Sequence, residues 1–230
     1  GNWCSRIVAP KGTLRLSTDA VVRDSGLPDV IAPDARQTPV EALPDDTLLF
    51  LLGSRYCEAD RLSDLAWQLF AATPPGWPRV QAICDWVHEH IEYRWGAGSP
   101  HTTAIAVLAQ RFGICRDFAH VAIALCRCFN LPARYVTGHL PDVACHEPDT
   151  PMDFHAWFEA YVGGAWRTFD ARHNTPRIGR VLIARGRDAV DTAILTSYGP
   201  SQLTGFTVWA DQVDDTTTLD DPIQQLEVQG

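Results

Sequence analysis

Three residues of this chain, Cys115, His155 and Asp170, have the types and the order that nucleophilic acyl chemistry requires. Cys115 stands at the start of an apolar helical pattern, in GICRDFAHVAIALCRCFN. A helix N-terminus presents unpaired N–H groups and partial positive charge. Such a site favours thiolate over thiol, and thiolate is the form that attacks. The same N–H groups can hold the oxyanion of an acyl intermediate. Position alone leaves this reading level with a buried structural cysteine, because free cysteines mostly pack as small hydrophobes.

A cysteine nucleophile needs a base, and the base needs an orienting acceptor. His155 lies in FHAWFEAYV, whose alternation puts His155, Trp157, Glu159 and Tyr161 on one strand face. AWRTFDA follows after Gly163-Gly164, which reads as a tight hairpin turn. With a two-residue turn, Val162 faces Ala165 and Trp157 faces Asp170. Asp170 is then the diagonal neighbour of His155, with Cβ atoms about 7 Å apart or less. A one-residue slip in register would send Asp170 to the opposite face. The other histidines offer less. His120 follows Cys115 in the same helix, about 140° around it, and packs or caps there. His88 and His90 fall on a polar helix face, His101 precedes a helix cap, and His173 follows the last hairpin strand. His139, Cys145 and His146 offer a metal-binding alternative, but their spacing is irregular and no fourth ligand is evident.

The elements that must position these residues read as α+β. Residues 1–47 suggest a small β region, with TLRLSTDAVV alternating and a proline-rich connector after it. Residues 48–230 read as the catalytic core with an acidic C-terminal tail. SDLAWQLFAAT puts Leu65, Leu69 and Ala72 on one stripe. PRVQAICDWVHEHIEY does the same more clearly with Val80, Ile83, Cys84, Val87 and Ile91. TTAIAVLAQRFG has a Thr cap and Gly113 as its C-terminal stop. The fourth helix carries Ala119, Ala122, Ile123, Cys126 and Phe129 as its stripe. ARYVTGHL, the hairpin, GRVLIA and LTGFTVWADQV are strands, and the tail from Asp214 reads as loosely ordered. Helices followed by hairpin-linked strands favour an antiparallel sheet over a doubly wound parallel one.

Composition excludes several partners. The chain has 230 residues with 28 acidic and 19 basic side chains, so its formal charge is 19 − 28 = −9. That charge repels phosphate backbones, so nucleic acid is not an expected partner. No apolar run approaches the roughly 20 residues of a membrane span. GNWCSRIVAP lacks a secretory leader pattern and begins without Met, so residues upstream of Gly1 stay an open question. Seven irregularly spaced cysteines without a CxxC pair point to a reducing, cytoplasmic setting, with Cys84 and Cys126 as core thiols.

The motifs together resemble the bacterial transglutaminase-like family, cysteine enzymes with a papain-like core. The resemblance rests on four stretches in order: GICRDFA, LPARYVTG, His155-Ala156-Trp157, and Trp166 through Asp170. GRVLIARGRDAVDTA is similar to the segment that follows in bacterial members. By that resemblance, Cys115 is the nucleophile, His155 the general base and acid, and Asp170 the orienting acceptor. It implies attack on a carboxamide or peptide carbonyl through a thioester, with no metal or cofactor. Water then completes hydrolysis, or an amine completes transfer; a non-catalytic peptide-binding module is the third possibility. The implied partners are a peptide or protein substrate and an amine acceptor if transfer occurs. Oligomeric state stays open. Eukaryotic members use an upstream Trp at the oxyanion, for which Tyr93 and Trp95 are the nearest candidates here. Ala171 replaces the Pro common after the Asp, with little consequence for the chemistry.

Overall fold

The computed structural model describes residues 1–145, 152–213 and 228–229. The chain runs through β1 (Thr13–Leu14) and two 3-10 turns to α1 (Ala59–Phe70), α2 (Trp77–His90) and β2 (Glu92–Tyr93). Next come α3 (Ala104–Gln110), β3 (Phe112–Gly113) and α4 (Cys115–Arg127). β4 (Ala133–His139), β5 (His155–Val162), β6 (Ala165–Phe169), β7 (Val181–Gly186) and β8 (Val228–Gln229) follow. β4 to β7 form an antiparallel sheet in the order β6-β5-β4-β7. This is the α+β arrangement the element order predicts.

α4 is the centre of the fold. The stretch from Phe118 to Cys126 is buried on every side, not only along the expected stripe. A helix that is apolar all round needs cover all round. Here α1, α2 and α3 cover part of it, and β4 and β5 cover the rest. Ala156, Phe158, Ala160 and Val162 of β5 belong to the same core. α2 buries Val80, Ile83, Cys84 and Val87, as its periodicity requires, and Ile91 is buried just beyond it.

Four local expectations need correction. α1 starts at Ala59 and buries Leu62, Ala66 and Phe70, so Leu65, Leu69 and Ala72 are not its core stripe. α3 is capped by the Thr103 side chain as expected, but Arg111 at φ 64° is its left-handed terminus. Gly113 lies instead in β3, paired in parallel with Tyr93. The β reading of residues 1–47 survives only at Thr13–Leu14, paired with β8. Alternation makes a strand only where a partner ladder exists, and Leu16, Val21 and Val22 stay exposed. LTGFTVWADQV likewise forms no strand, with Val208 its one buried apolar side chain. The acidic tail from Asp214 lies outside the described residues except at Val228–Gln229.

Residues 29–37 form a strap fastened to the core by backbone and side-chain bonds. The Ala35 carbonyl accepts from Trp77 N at 2.8 Å, and the Arg36 carbonyl accepts from Gly163 N at 2.8 Å. Gln37 Nε2 donates to the Phe129 carbonyl at 2.7 Å. Gly76 permits this close approach. It sits at φ +102°, and a Cβ there would lie 2.4 Å from the Ala35 oxygen. Gly76→Ala should therefore destabilise the protein by about 2 kcal/mol, through both backbone strain and the clash. At this chain length that corresponds to a drop of roughly 4–8 °C in Tm. A thermal melt matching the wild type would show that the strap is not held at this point.

The cysteines of the core are unbridged. Cys84 and Cys126 are buried and free, and so are the remaining five thiols free. Among the described residues no helix is long and apolar enough to cross a membrane.

Candidate active site

Cys115 is the first residue of α4. The turn is clamped by its own sequence. Ile114 N–H donates to Asp117 Oδ2 at 3.0 Å, and Arg116 Nε and Nη2 donate to Asp117 Oδ1 at 3.1 and 3.0 Å. Arg116 also donates to the Ser99 carbonyl at 2.7 Å. The Asp117 and Phe118 N–H groups are taken by the Ile114 carbonyl at 2.8 and 3.2 Å, which leaves the N–H groups of Cys115 and Arg116 as the first-turn donors at the thiol. Cys115 is half-buried, and its Sγ lies 4.0 Å from the Phe154 carbonyl, at the outer limit for a sulfur donor.

β5 and β6 deliver the other two residues. Val162 pairs with Ala165 and Phe158 with Phe169 across the Gly163-Gly164 turn, the register expected from sequence. Asp170 follows the last rung. His155 opens β5 and donates from Nε2 to Asp170 Oδ2 at 2.7 Å. Cys115 lies near enough to the imidazole to act on its protonation. Since Nε2 is engaged by Asp170, Nδ1 is the nitrogen left for the thiol. Burial by itself would depress the imidazole. The Asp170 charge and hydrogen bond, with Cys115 adding to them, outweigh it and lift the pKa to about 9. Burial would raise Asp170, but the charges of His155 and Arg180 hold it well below the usual carboxylate range.

Asp170 accepts more than the one bond the sequence indicates. Arg180 Nη2 donates to Oδ2 at 3.0 Å, while the N–H groups of Arg172 and His173 donate to Oδ1 at 3.1 and 3.2 Å. Arg180 is itself held by Asp29 of the strap, at 3.0 and 2.9 Å. The His173 ring stands edge-on to His155 with centroids 4.8 Å apart. Its two ring nitrogens face the Arg172 and Arg177 guanidiniums, of which the neutral ring can accept from one. Burial, with the positive charges of His155, Arg172 and Arg177, outweighs Asp170 and takes His173 down to about 3, so it stays neutral.

Sequence reading did not identify Arg180, Asp29 or His173 as site residues. Arg180 lies in the GRVLIARG stretch, whose similarity to bacterial relatives was the available signal. Asp29 carried none, because only the path of the strap brings it within reach of Arg180.

His155, Asp170 and His173 each offer a ligand atom within 4.8 Å of the others. The donors are committed elsewhere. Nε2 and Oδ2 bond one another, Arg180 shares that oxygen, and two more guanidiniums contact His173. A divalent cation would have to displace those bonds beside three positive side chains, so the set does not fit a resident metal. Of the alternative metal group, His139 packs on Phe154 with centroids 5.0 Å apart and Cys145 is exposed; His146 lies outside the described residues. His120 packs, as expected: its ring is fully buried between Tyr56 and Tyr135 and accepts from Ala189 N at 3.2 Å. His88, His90 and His101 are exposed.

Of the upstream aromatic candidates, Tyr93 is pinned in β2 beneath the Arg172 guanidinium, 4.0 Å above its ring. Trp95 is half exposed and follows the β2–β3 ladder on the side that leads to Cys115.

Residues 64–171 match the Transglutaminase-like superfamily. The chain is similar to a crystal structure from Cytophaga hutchinsonii described as a candidate cysteine protease. That match has 38% identity and a TM-score of 0.65, over 76% of this chain and 63% of that one. An uncharacterized protein of Mycobacterium leprae is 29% identical over 119 residues, 50% of this chain and 42% of its own length. An uncharacterized protein of Mycobacterium tuberculosis is 30% identical over 129 residues, 51% of this chain and 41% of its own. The matched part of the chain thus spans about two-fifths of those mycobacterial relatives.

Proposed function

From a chain whose residues 64–171 carry a transglutaminase-like core, we propose a cysteine-dependent amide hydrolase that acts on peptides or proteins through a thioester. The observation that supports it most is the buried His155–Asp170 hydrogen bond, with Cys115 at the head of α4 near enough to act on that imidazole. Its fold-level neighbour described as a candidate cysteine protease points the same way.

The chemistry divides by residue. The Cys115 thiolate attacks the amide carbonyl carbon, and the negative charge moves to the carbonyl oxygen. The first N–H groups of α4 stabilise that oxyanion. With a pKa of about 9, His155 carries a proton near neutral pH and delivers it to the departing amine nitrogen as the C–N bond breaks. The neutral imidazole then takes a proton from water, whose oxygen attacks the thioester. Collapse releases the acid and returns the proton to the Cys115–His155 pair. Asp170 keeps Nε2 protonated and the ring oriented. An amine in place of that water would give transfer instead. The seven free thiols fit a reducing, cytoplasmic setting as part of the same proposal.

The test needs no known substrate. After limited treatment with iodoacetamide, peptide mapping should find Cys115 labelled first. Cys57 should be inert, since burial pushes its thiol to about 12, and Cys84 and Cys126 are pushed up by burial in the same way. Exposed Cys4 and Cys145 should react at the rate of ordinary thiols. Labelling confined to Cys4 or Cys145 would overturn the reading. Incubating a glutamine peptide with an added amine then separates transfer from hydrolysis by product mass.

A further inference from the structure

We propose that Arg180 and Asp29 are positioning residues of this site, extending it into a line of alternating charge that ends in the N-terminal strap. The inference rests on the cysteine-hydrolase reading above but concerns residues outside the 64–171 match.

The geometry is continuous. His155 Nε2 and Arg180 Nη2 bond the same oxygen of Asp170, at 2.7 and 3.0 Å. Arg180 Nε bonds both oxygens of Asp29, at 3.0 and 2.9 Å. The side chains of Arg180, Asp170 and Asp29 are 8%, 2% and 16% exposed, so water screens this line poorly. Asp29 is fixed in turn: its Oδ2 accepts from Arg177 N at 3.0 Å and its N–H donates to the Arg177 carbonyl at 3.0 Å. Arg180 also lies over the Trp157 ring, 5.0 Å from its centroid. Among the described residues its buried Nη1 has no hydrogen-bond partner, and the guanidinium contacts Asp170, Asp29 and Trp157.

A pairing this deep has a physical reason. A carboxylate buried beside an imidazole alone could take the imidazole's proton back when the ring turns over. The Arg180 charge keeps Asp170 ionised through both protonation states of His155. Asp29 neutralises Arg180, so the positive charge does not draw the Asp170 oxygen away from the imidazole. The strap is therefore part of the active site, and its docking at Gly76 and Gly163 sets where Asp29 stands.

Alternating charges imply alternating effects on His155. The groups that face this ring are Cys115 from α4, Trp157 on β5, Asp170 and His173 after β6, and Arg180 ahead of β7, with Arg172 and Arg177 behind His173. Removing the Arg180 charge in Arg180→Met should raise the His155 titration by about 1 pH unit, because a like charge is lost and Asp170 is no longer shared. Removing the Asp29 charge in Asp29→Asn should lower it by about half a unit, because Arg180 is left unbalanced. Arg180→Lys keeps the charge and should move it far less than Arg180→Met.

The experiment is NMR titration of His155 in the full chain, together with the rate of iodoacetamide labelling at Cys115 and a thermal melt. Opposite shifts for Arg180→Met and Asp29→Asn, with Arg180→Lys near the wild type, support the proposal. On any peptide that is turned over, both variants should lower kcat about tenfold or more and leave KM unchanged. Shifts of the same sign, or none in folded protein, overturn it. If Arg180→Met does not fold, Asp29→Asn and Arg180→Lys carry the test: a downward shift in the first and little change in the second are required. A wild type whose Cys115 is unreactive would instead refute the hydrolase reading, so the two failures are distinguishable.

Discussion

Cys115→Ala is expected to abolish turnover of every amide substrate while leaving the protein folded. In the proposed mechanism the acyl-enzyme forms on the sulfur at the mouth of α4, the thiol that acts on the His155 imidazole. The loss should exceed about 10⁴-fold, leaving only what binding and the helix N–H groups contribute. His155→Ala should come close to it, because the thiol loses its base and the leaving amine its acid. Stability should change little, since Cys115 is only half-buried and its hydrogen bonds are few. The measurement is activity on a panel of short peptides and a glutamine donor, beside a thermal melt. A folded Cys115→Ala protein with wild-type turnover would end the cysteine mechanism.

Asp170→Asn should lose activity too, by about 10²-fold, and less than Cys115→Ala, because in the proposed mechanism Asp170 orients and does not react. Its larger signature is in pH dependence. His155 stands at about 9 because the Asp170 charge and hydrogen bond outweigh its burial. In Asp170→Asn the burial remains and the charge is gone, so the His155 titration should fall by at least 1 unit, and the alkaline limb of kcat/KM should move down with it. The stability difference between the proteins has a definite window. The raised His155 pKa stabilises the fold in full below its unfolded value of 6.5, and this is lost as pH rises through about 9. The depressed Asp170 pKa stabilises it above 3.8, and this is lost as pH falls through the still lower folded value. The wild type should therefore lead Asp170→Asn most between about pH 4 and 6.5. Melting curves across pH check it. A lead that grew steadily up to pH 10 would show that the pair is not charged as described.

The sequence by itself determined the local part of this site. Cys115 at a helix start, the parity of His155 on its strand, and the two-residue turn that sets Asp170 beside it all follow from 3.6- and 2-residue periods and one Gly-Gly pair. Those are short-range constraints, fixed by backbone sterics and by which face must be dry. The same reasoning gave the α2 stripe residue by residue, and erred at α1 because that helix begins earlier than its strongest apolar run. Tertiary structure alone decided what surrounds the three residues. TLRLSTDAVV alternates like a strand, yet only Thr13–Leu14 found a partner, since pairing is a property of two segments and not of one. Asp29 lies 141 residues before Asp170 in the chain, and no local pattern relates them. They come together because Gly76 and Gly163 let the strap lie against the core, and because Arg180, once buried between two carboxylates, must be paired with both.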